Sequence, residues 1–194
     1  MFTSVILGAG KSTRMKANKS KLLFNIAGKP VINHILSSLK AAKAKHNICV
    51  INNSSAELKK ILQAEKISFA YQKILDGTAG AVKAALKSKK NSNSKILILC
   101  GDVPFITSSS IKKLVAKLKN HDAVVGTVEL ESPKGYGRIV RVNNKFSSIV
   151  EEKETTPDER QIREVNTGII AIQENVLRKY ISLIKNNNQK KEYY

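Results

Sequence analysis

The 194-residue sequence has no tryptophan, five tyrosines, five phenylalanines, two cysteines and three histidines, and no aspartate or glutamate precedes Glu57. Each shortage excludes something. Cys49 and Cys100 both sit inside apolar runs, so they read as small buried hydrophobes, not a disulfide or a metal pair. His34, His46 and His121 share no ligand spacing, which argues against zinc. No apolar run approaches the length of a membrane span, and no charged segment precedes an apolar core at the N-terminus. A cytoplasmic protein with no membrane partner is the expectation.

What is present is lysine. Thirty-four Lys and Arg against fifteen Asp and Glu give a formal charge of +19. Such a balance points to a polyanionic partner or to plain solubility, and does not bear on fold. Lys, Asn, Ile and Ser are abundant throughout, loops included, so compositional drift accounts for most of the total. Hydrophobic residues make up 42%, enough for a globular core in one domain spanning 1–194.

The basic excess is sharpest in residues 7–21, LGAGKSTRMKANKSK, directly after the apolar run 2–7. A buried strand that runs into a glycine-containing basic loop suits a polyphosphate. Gly8 and Gly10 let backbone approach a ligand, and successive N–H groups can form an anion-binding concavity. Lys11, Arg14, Lys16, Lys19 and Lys21 surround it with cations. It is not a Walker loop, because Val5 stands where the first glycine is needed. Nor is it a dinucleotide fingerprint, because Thr13 replaces the third glycine and no acid follows at the required distance. An ordinary βα loop in a lysine-rich protein is the competing reading.

Strands and helices alternate up to residue 130. Val31, Ile32, Ile35, Leu36 and Leu39 mark a helix with Pro30 in its first turn. Residues 48–51 read as a buried strand, and Ser54 or Ser55 caps a helix carrying Leu58, Ile61 and Leu62. A strand over 67–71, a small-residue helix over 78–88, a polar loop over 89–95 and the strong strand KILILC (95–100) follow. A helix over 108–119 and a strand over 123–130 complete the run. This order predicts a mostly parallel sheet covered on both faces. After about residue 131 the pattern turns antiparallel, with a hairpin turning at Asn143–Asn144. Residues 151–164 read as a charged loop with a little helix, 168–172 as a strand, 174–184 as a helix and 186–194 as a polar tail.

Asp102 follows the strand at 95–100, at the edge where parallel sheets bind ligands. It can hold Mg²⁺ with phosphate oxygens and water completing the shell, or it can be a turn aspartate before Val103–Pro104. Gln72 ends a strand, and its amide can pair with the edge of a pyrimidine. Gly77 allows backbone to pair alongside it, and Thr78 can cap the next helix. Three later segments, Gly135–Arg138, Ile149–Glu151 and Glu164–Gly168, carry groups suited to a sugar, although Gly137 alone reads as a hairpin residue and Glu151 alone as a solvated charge.

These motifs in this order carry a resemblance. LGAGKSTRM followed by Lys21 and Leu22 resembles the L-x-A-G-x-G-T-R-M…K-x-L signature of the sugar-nucleotide pyrophosphorylases. The later segments resemble the N-terminal uridylyltransferase domain of the bifunctional N-acetylglucosamine-1-phosphate uridyltransferase/glucosamine-1-phosphate acetyltransferase family, from residue 4 to the end of the chain. The resemblance implies a three-layer Rossmann-like nucleotide-diphospho-sugar transferase fold of α/β class. It implies nucleotide contacts from Leu7, Gly8, Ala9, Gly10, Lys11, Gln72, Gly77 and Thr78. Arg14 and Lys21 would be catalytic, Arg14 on the β- and γ-phosphates and Lys21 at the α-phosphate. Asp102 would carry Mg²⁺, and Gly137, Glu151, Asn166 and Thr167 would surround N-acetylglucosamine. The implied reaction is UMP transfer from UTP to N-acetylglucosamine 1-phosphate.

Three departures qualify it. Ser12 stands where the family has glycine, and Asp76 where relatives usually have an apolar residue. The sequence also stops at Tyr194, where relatives continue, supply a second metal-binding Asn and add a left-handed β-helix. The expectation is therefore no acetyl transfer and no β-helix-mediated trimer. Alternatives stay open at this point: a degenerate relative that binds but turns over poorly, a transferase of another nucleotide or sugar, and a basic nucleic-acid binder. The few aromatics and Asp102 argue against the last.

Overall fold

The computed structural model describes residues 1–10, 19–52, 56–188 and 191–193. The chain divides into two compact units, one formed by residues 1–124 and 171–194, the other by residues 125–170.

Unit 1 is built on four parallel strands in the order β5-β4-β1-β6: β1 (Phe2–Leu7), β4 (His46–Ile51), β5 (Ser68–Tyr71) and β6 (Lys95–Cys100). The register sets Leu7 against both Val50 and Cys100, and Ile51 against Tyr71, so all four C-terminal ends lie along one edge. After β1 the chain builds outward on one side, through β4 to β5, and then returns to lay β6 on the other side of β1. The order therefore reverses at β1, and the crevice outside the β1 and β6 ends is the switch point where such sheets take ligands.

Helix α3 (Thr78–Lys87) and α6 (Glu174–Tyr180) cover one face: Val5, Ile48, Val50, Ile96 and Ile98 pack with Val82, Ala85, Leu86 and Leu177. The alternate strand residues Ile6, Cys49, Leu97 and Leu99 are also fully buried, so the opposite face is covered too. Helices α1 (Val31–Ala41) and α4 (Ser108–Lys117) pack against each other, and α2 (Ala56–Ala64) contributes buried Leu58 and Leu62. No helix among the described residues is long and apolar enough to cross a membrane.

Several boundaries differ from the sequence expectation, each for a tertiary reason. Strand β4 starts at His46 because β1 continues the ladder there, with Ser4 Oγ donating to Asn47 Oδ1 at 2.6 Å. Pro30 precedes α1 as an extended residue (φ −54°, ψ 142°) because it belongs to β3 (Lys29–Pro30), which pairs with β2 (Asn25–Ile26). The residue capping α3 is Gly77, and Thr78 is the first helical residue. The helix expected over 174–184 stops at Tyr180 and tightens into a 3₁₀ turn, Ile181–Leu183. The proposed cap of α2 at Ser54 or Ser55 lies outside the described residues.

Unit 2 holds β8 (Arg138–Val142) and β9 (Lys145–Val150), an antiparallel hairpin whose turn puts Asn143 and Asn144 at φ 50° and 61°. Next come a 3₁₀ turn (Glu152–Glu154) and α5 (Pro157–Arg160), which starts with a capping box from Thr156 and Glu159. Strand β10 (Glu164–Gln173) pairs antiparallel with β8 and also pairs with β7 (Ala123–Glu129). It begins four residues earlier than the apolar pattern suggests. Its polar start is held by neighbours: the Asn166 N–H donates to the Gly137 carbonyl at 2.9 Å, and Glu164 pairs with Arg141 at 2.7 Å.

Candidate functional site

Lys21 and Asp102 meet across the switch point. The Lys21 ammonium lies 2.5 Å from Asp102 Oδ2, with both side chains partly exposed. Lys21 opens a 3₁₀ turn, Lys21–Leu23, in which Leu22 and Leu23 are buried. Leu22 aims the lysine. Its side chain fills the space beside two glycines: an added Cβ would lie 2.6 Å from Leu22 Cδ1 at Gly8 and 2.4 Å from Cδ2 at Gly101. These two glycines, one after β1 and one after β6, therefore admit Leu22 between the strand ends, and Lys21 is carried to Asp102 beside it.

This gives Gly8 a role different from the one its motif suggests. Its N–H donates to the Val50 carbonyl at 2.8 Å, continuing the ladder, so that donor is already in use. Ala9 is buried, and its carbonyl accepts from Asn52 Nδ2 at 2.8 Å. Asn52, just past β4, thus steadies the start of the loop, a contact no local pattern reveals. Among the described residues, an added Cβ at Gly10 would meet nothing within 4 Å. Lys19 lies over the Phe24 ring at 4.7 Å. Lys11, Ser12, Arg14 and Lys16 lie outside the described residues.

A second segment leaves the same sheet edge after β5. Gln72 is buried; its N–H donates to the Ile51 carbonyl at 3.0 Å, and its side-chain nitrogen donates to Asp76 Oδ1 at 3.1 Å and the Gly77 carbonyl at 3.0 Å. Gly77 sits at φ 108°, a conformation that strains any other residue. The backbone of Tyr193 lies against it: the Tyr193 N–H donates to the Asp76 carbonyl at 2.7 Å, and the Tyr193 carbonyl accepts from Ala79 N–H at 2.9 Å. The first turn of α3 is thus capped by the chain's own tail, and Thr78 supplies no cap.

Unit 2 brings the later motifs together. Gly137, at the head of β8, would place a Cβ 3.2 Å from Ile149 Cγ2 and 3.5 Å from Glu151 Oε1. Asn166 lies beside it through the bond to the Gly137 carbonyl, and its Oδ1 accepts from Gly168 N–H at 2.9 Å, which leaves the amide nitrogen for other partners. The Thr167 hydroxyl donates to the Gly126 carbonyl at 2.6 Å, so it braces β7 against β10. Arg138 is buried and pairs with Glu152 at 2.8 Å. Burial works to raise the Glu152 carboxyl, but hydrogen bonds from Arg138 and from the Gly135 backbone outweigh it and hold it below the usual carboxylate range.

Two further groups matter for stability and reactivity. Burial pushes the Cys49 thiol up to about 12, which makes it inert. Cys100 is also raised, first by burial and then by Asp102, with Lys21 opposing.

No cluster of three or more metal-ligating side chains occurs among the described residues. A magnesium site here would therefore be one carboxylate completed by phosphate oxygens and water, as is usual for this ion. Asp102 fits that demand: its carboxylate is partly exposed and already takes a cation, the Lys21 ammonium, at short range.

Comparison with known proteins adds the following. The family described as MobA-like NTP transferase domain matches residues 4–160. The bifunctional protein GlmU of Francisella tularensis subsp. novicida (strain U112) is 42% identical over 193 residues, covering 98% of this chain and 42% of that protein. The same protein from F. tularensis subsp. holarctica (strain OSU18) matches to the same extent. The chain thus spans 42% of the length of these curated relatives. Among solved structures, a Bacillus anthracis protein assigned as a glucose-1-phosphate thymidylyltransferase, crystallised with sucrose, superposes with a TM-score of 0.73 at 19% identity. That alignment covers 94% of this chain and 75% of the other, and shows the same fold.

Proposed function

We propose that this chain, which belongs to the MobA-like NTP transferase domain family, transfers UMP from UTP to N-acetylglucosamine 1-phosphate. An oxygen of the sugar phosphate attacks the α-phosphorus of UTP, the bond to the bridging oxygen breaks, and pyrophosphate leaves. No protein nucleophile is required, so rate comes from positioning and from stabilising charge on the phosphates.

The observation that carries this reading is the Lys21–Asp102 pair at the switch point. A lysine and a carboxylate held together there by Leu22 packing suit two jobs at one phosphate. Lys21 exchanges its carboxylate partner for an α-phosphate oxygen. Asp102 would hold Mg²⁺, which would supply neutralisation of the phosphate charge and help orient the two substrates when bound. Gly10 and Lys11 contact the nucleotide, and Arg14 takes the β- and γ-phosphates. Gln72 and the Gly77 backbone meet the uracil. In unit 2, Glu151 accepts from sugar hydroxyls, Asn166 donates its amide N–H, Gly137 leaves room for the ring, and Thr167 holds the strand that presents Asn166. The 42% identity to GlmU supports uridylyl transfer to an N-acetylglucosamine phosphate over other nucleotide and sugar pairs.

The deciding measurement is pyrophosphate release. Release that requires UTP, N-acetylglucosamine 1-phosphate and Mg²⁺ together supports the reading. Faster release with dTTP or CTP, or with glucose 1-phosphate, would reassign the substrates. No release with any pair would leave a binding protein only.

A further inference from the structure

A glutamine amide offers two donors and one acceptor, and in Gln72 the fold has already used both donors. The amide nitrogen is 3.1 Å from Asp76 Oδ1 and 3.0 Å from the Gly77 carbonyl oxygen. The residue is buried, and the hydrogen bonds its side-chain amide makes among the described residues are these two, both through the nitrogen. Turning the amide over would set its oxygen against a carboxylate and a carbonyl at once, two repulsive contacts in a buried place. Asp76, together with the Gly77 carbonyl, therefore decides which end of the amide remains to meet a ligand.

Asp76 is itself held in position. A Cβ at residue 80 would lie 1.8 Å from Asp76 Oδ1 and 2.6 Å from its Cγ, so the carboxylate rests in the space that Gly80 leaves inside α3. The Asp76 backbone is pinned from the other side by the Tyr193 N–H at 2.7 Å. A carboxylate one residue before a glycine cap, fitted over a second glycine three residues into the helix, is a matched pair of residues and not a stray surface charge.

We propose that Asp76 is a specificity-positioning residue: by accepting one N–H of Gln72 while the Gly77 carbonyl accepts the other, it leaves only the carbonyl oxygen for the nucleobase. The inference rests on the reading above that Gln72 meets the base. An acceptor in that position favours a base presenting an imino N–H, as uracil and thymine do. It disfavours one presenting a ring-nitrogen lone pair, as cytosine does. Rejection comes from the acceptor pair left facing each other.

The test is titration calorimetry of the whole chain with UTP and with CTP, in the wild type, Asp76→Leu, Asp76→Asn and Gly80→Ala, with melting temperatures alongside. The wild type is expected to prefer UTP by about tenfold or more, the penalty of one unmet buried hydrogen bond. Asp76→Asn keeps the preference, because its side-chain oxygen accepts the same N–H. Asp76→Leu and Gly80→Ala lower the preference to about threefold or less, mainly by improving CTP, because one of the two contacts that oppose turning the amide is then lost and the Gly77 carbonyl alone remains. Gly80→Ala is the variant that guards against misfolding, since alanine favours the helix it enters. A merely structural role would weaken both nucleotides together and leave their ratio unchanged. A UTP preference that survives both Asp76→Leu and Gly80→Ala overturns the inference alone, and so does a wild type with no preference. A wild type that binds neither nucleotide removes the nucleotide reading and the inference with it.

Discussion

Lys21 and Asp102 are 81 positions apart in sequence and 2.5 Å apart in space. The pair exists because β1 and β6 run parallel and in register, with Leu7 opposite Cys100, so the segments following both strands leave from one edge.

Both residues are partly exposed, so their ion pair adds only about 0–1 kcal/mol to stability. Lys21→Ala and Asp102→Asn should therefore melt within a few degrees of the wild type. In the proposed reaction each should lower kcat by about 100-fold or more, the loss typical of removing one preorganised charge-stabilising group. Steady-state pyrophosphate release and a thermal melt of the same samples check both halves.

Gly8→Ala and Gly101→Ala test how Leu22 is seated. Each new methyl would meet a Leu22 methyl and a backbone carbonyl, at 3.0 Å from Val50 O and Leu7 O respectively. Overpacking of this kind costs about 1–3 kcal/mol. Urea unfolding should show that loss, and activity should fall as well because Lys21 moves with Leu22. Leu22→Ala, which empties the same space, should cost about 2–5 kcal/mol.

Glu174 supports the fold from a fully buried position. It takes bonds from Lys89 at 2.8 and 3.0 Å, from Arg178 at 2.9 and 3.0 Å, and from the Ser94 N–H and hydroxyl at 3.1 and 2.9 Å. Burial alone would raise its carboxyl, but these donors bring it down to about 2 from an ordinary 4.5. A depressed folded-state value stabilises the protein above the unfolded value, and that stability is lost as pH falls from about 4.5 towards 2. Glu174→Gln leaves Lys89 and Arg178 without their counter-charge and should cost about 3–5 kcal/mol near neutral pH. The gap between wild type and variant, read from urea midpoints, should narrow as the pH is lowered through that window. A constant gap would mean that the carboxylate charge is not what matters.

Cys49 should resist alkylation in the folded protein at pH 8, since burial holds its thiol near 12. Modification detected by mass spectrometry should appear only when denaturant is added. Early labelling of Cys49 would show that β4 opens locally.

Much of the fold was legible because its signals are local. KILILC, the helical spacing of Val31 to Leu39 and the Asn143–Asn144 turn each announce an element from a few neighbouring residues. The elements misjudged were those whose limits depend on a partner. Glu164 reads as the end of a charged loop, and Asn166 and Thr167 belong to no element that the sequence announces, yet all three are strand because β7 and β8 supply their bonds. Pro30 suits a first helical turn on propensity, but pairing with Asn25 keeps it extended. In the candidate site, Lys21, Asp102 and Gln72 stood out by motif and position. Asn52 and Tyr193 did not, and Leu22, though part of the quoted signature, gave no sign of its packing at Gly8 and Gly101, because each acts through a contact with a segment far along the chain.

The sequence by itself determined the alternation of strands and helices, the basic loop after the first strand, and the order of motifs that marks the family. Those follow from side-chain periodicity, glycine placement and charge, which any short window displays. Only the tertiary structure decided that Leu22 rests between two glycines and carries Lys21 to Asp102, that Asp76 and the Gly77 carbonyl hold the Gln72 amide in one orientation, and that Glu174 gathers Lys89 and Arg178. Hydrogen-bond and packing partners are chosen by which strand ends the parallel register brings side by side, and no local pattern encodes that choice.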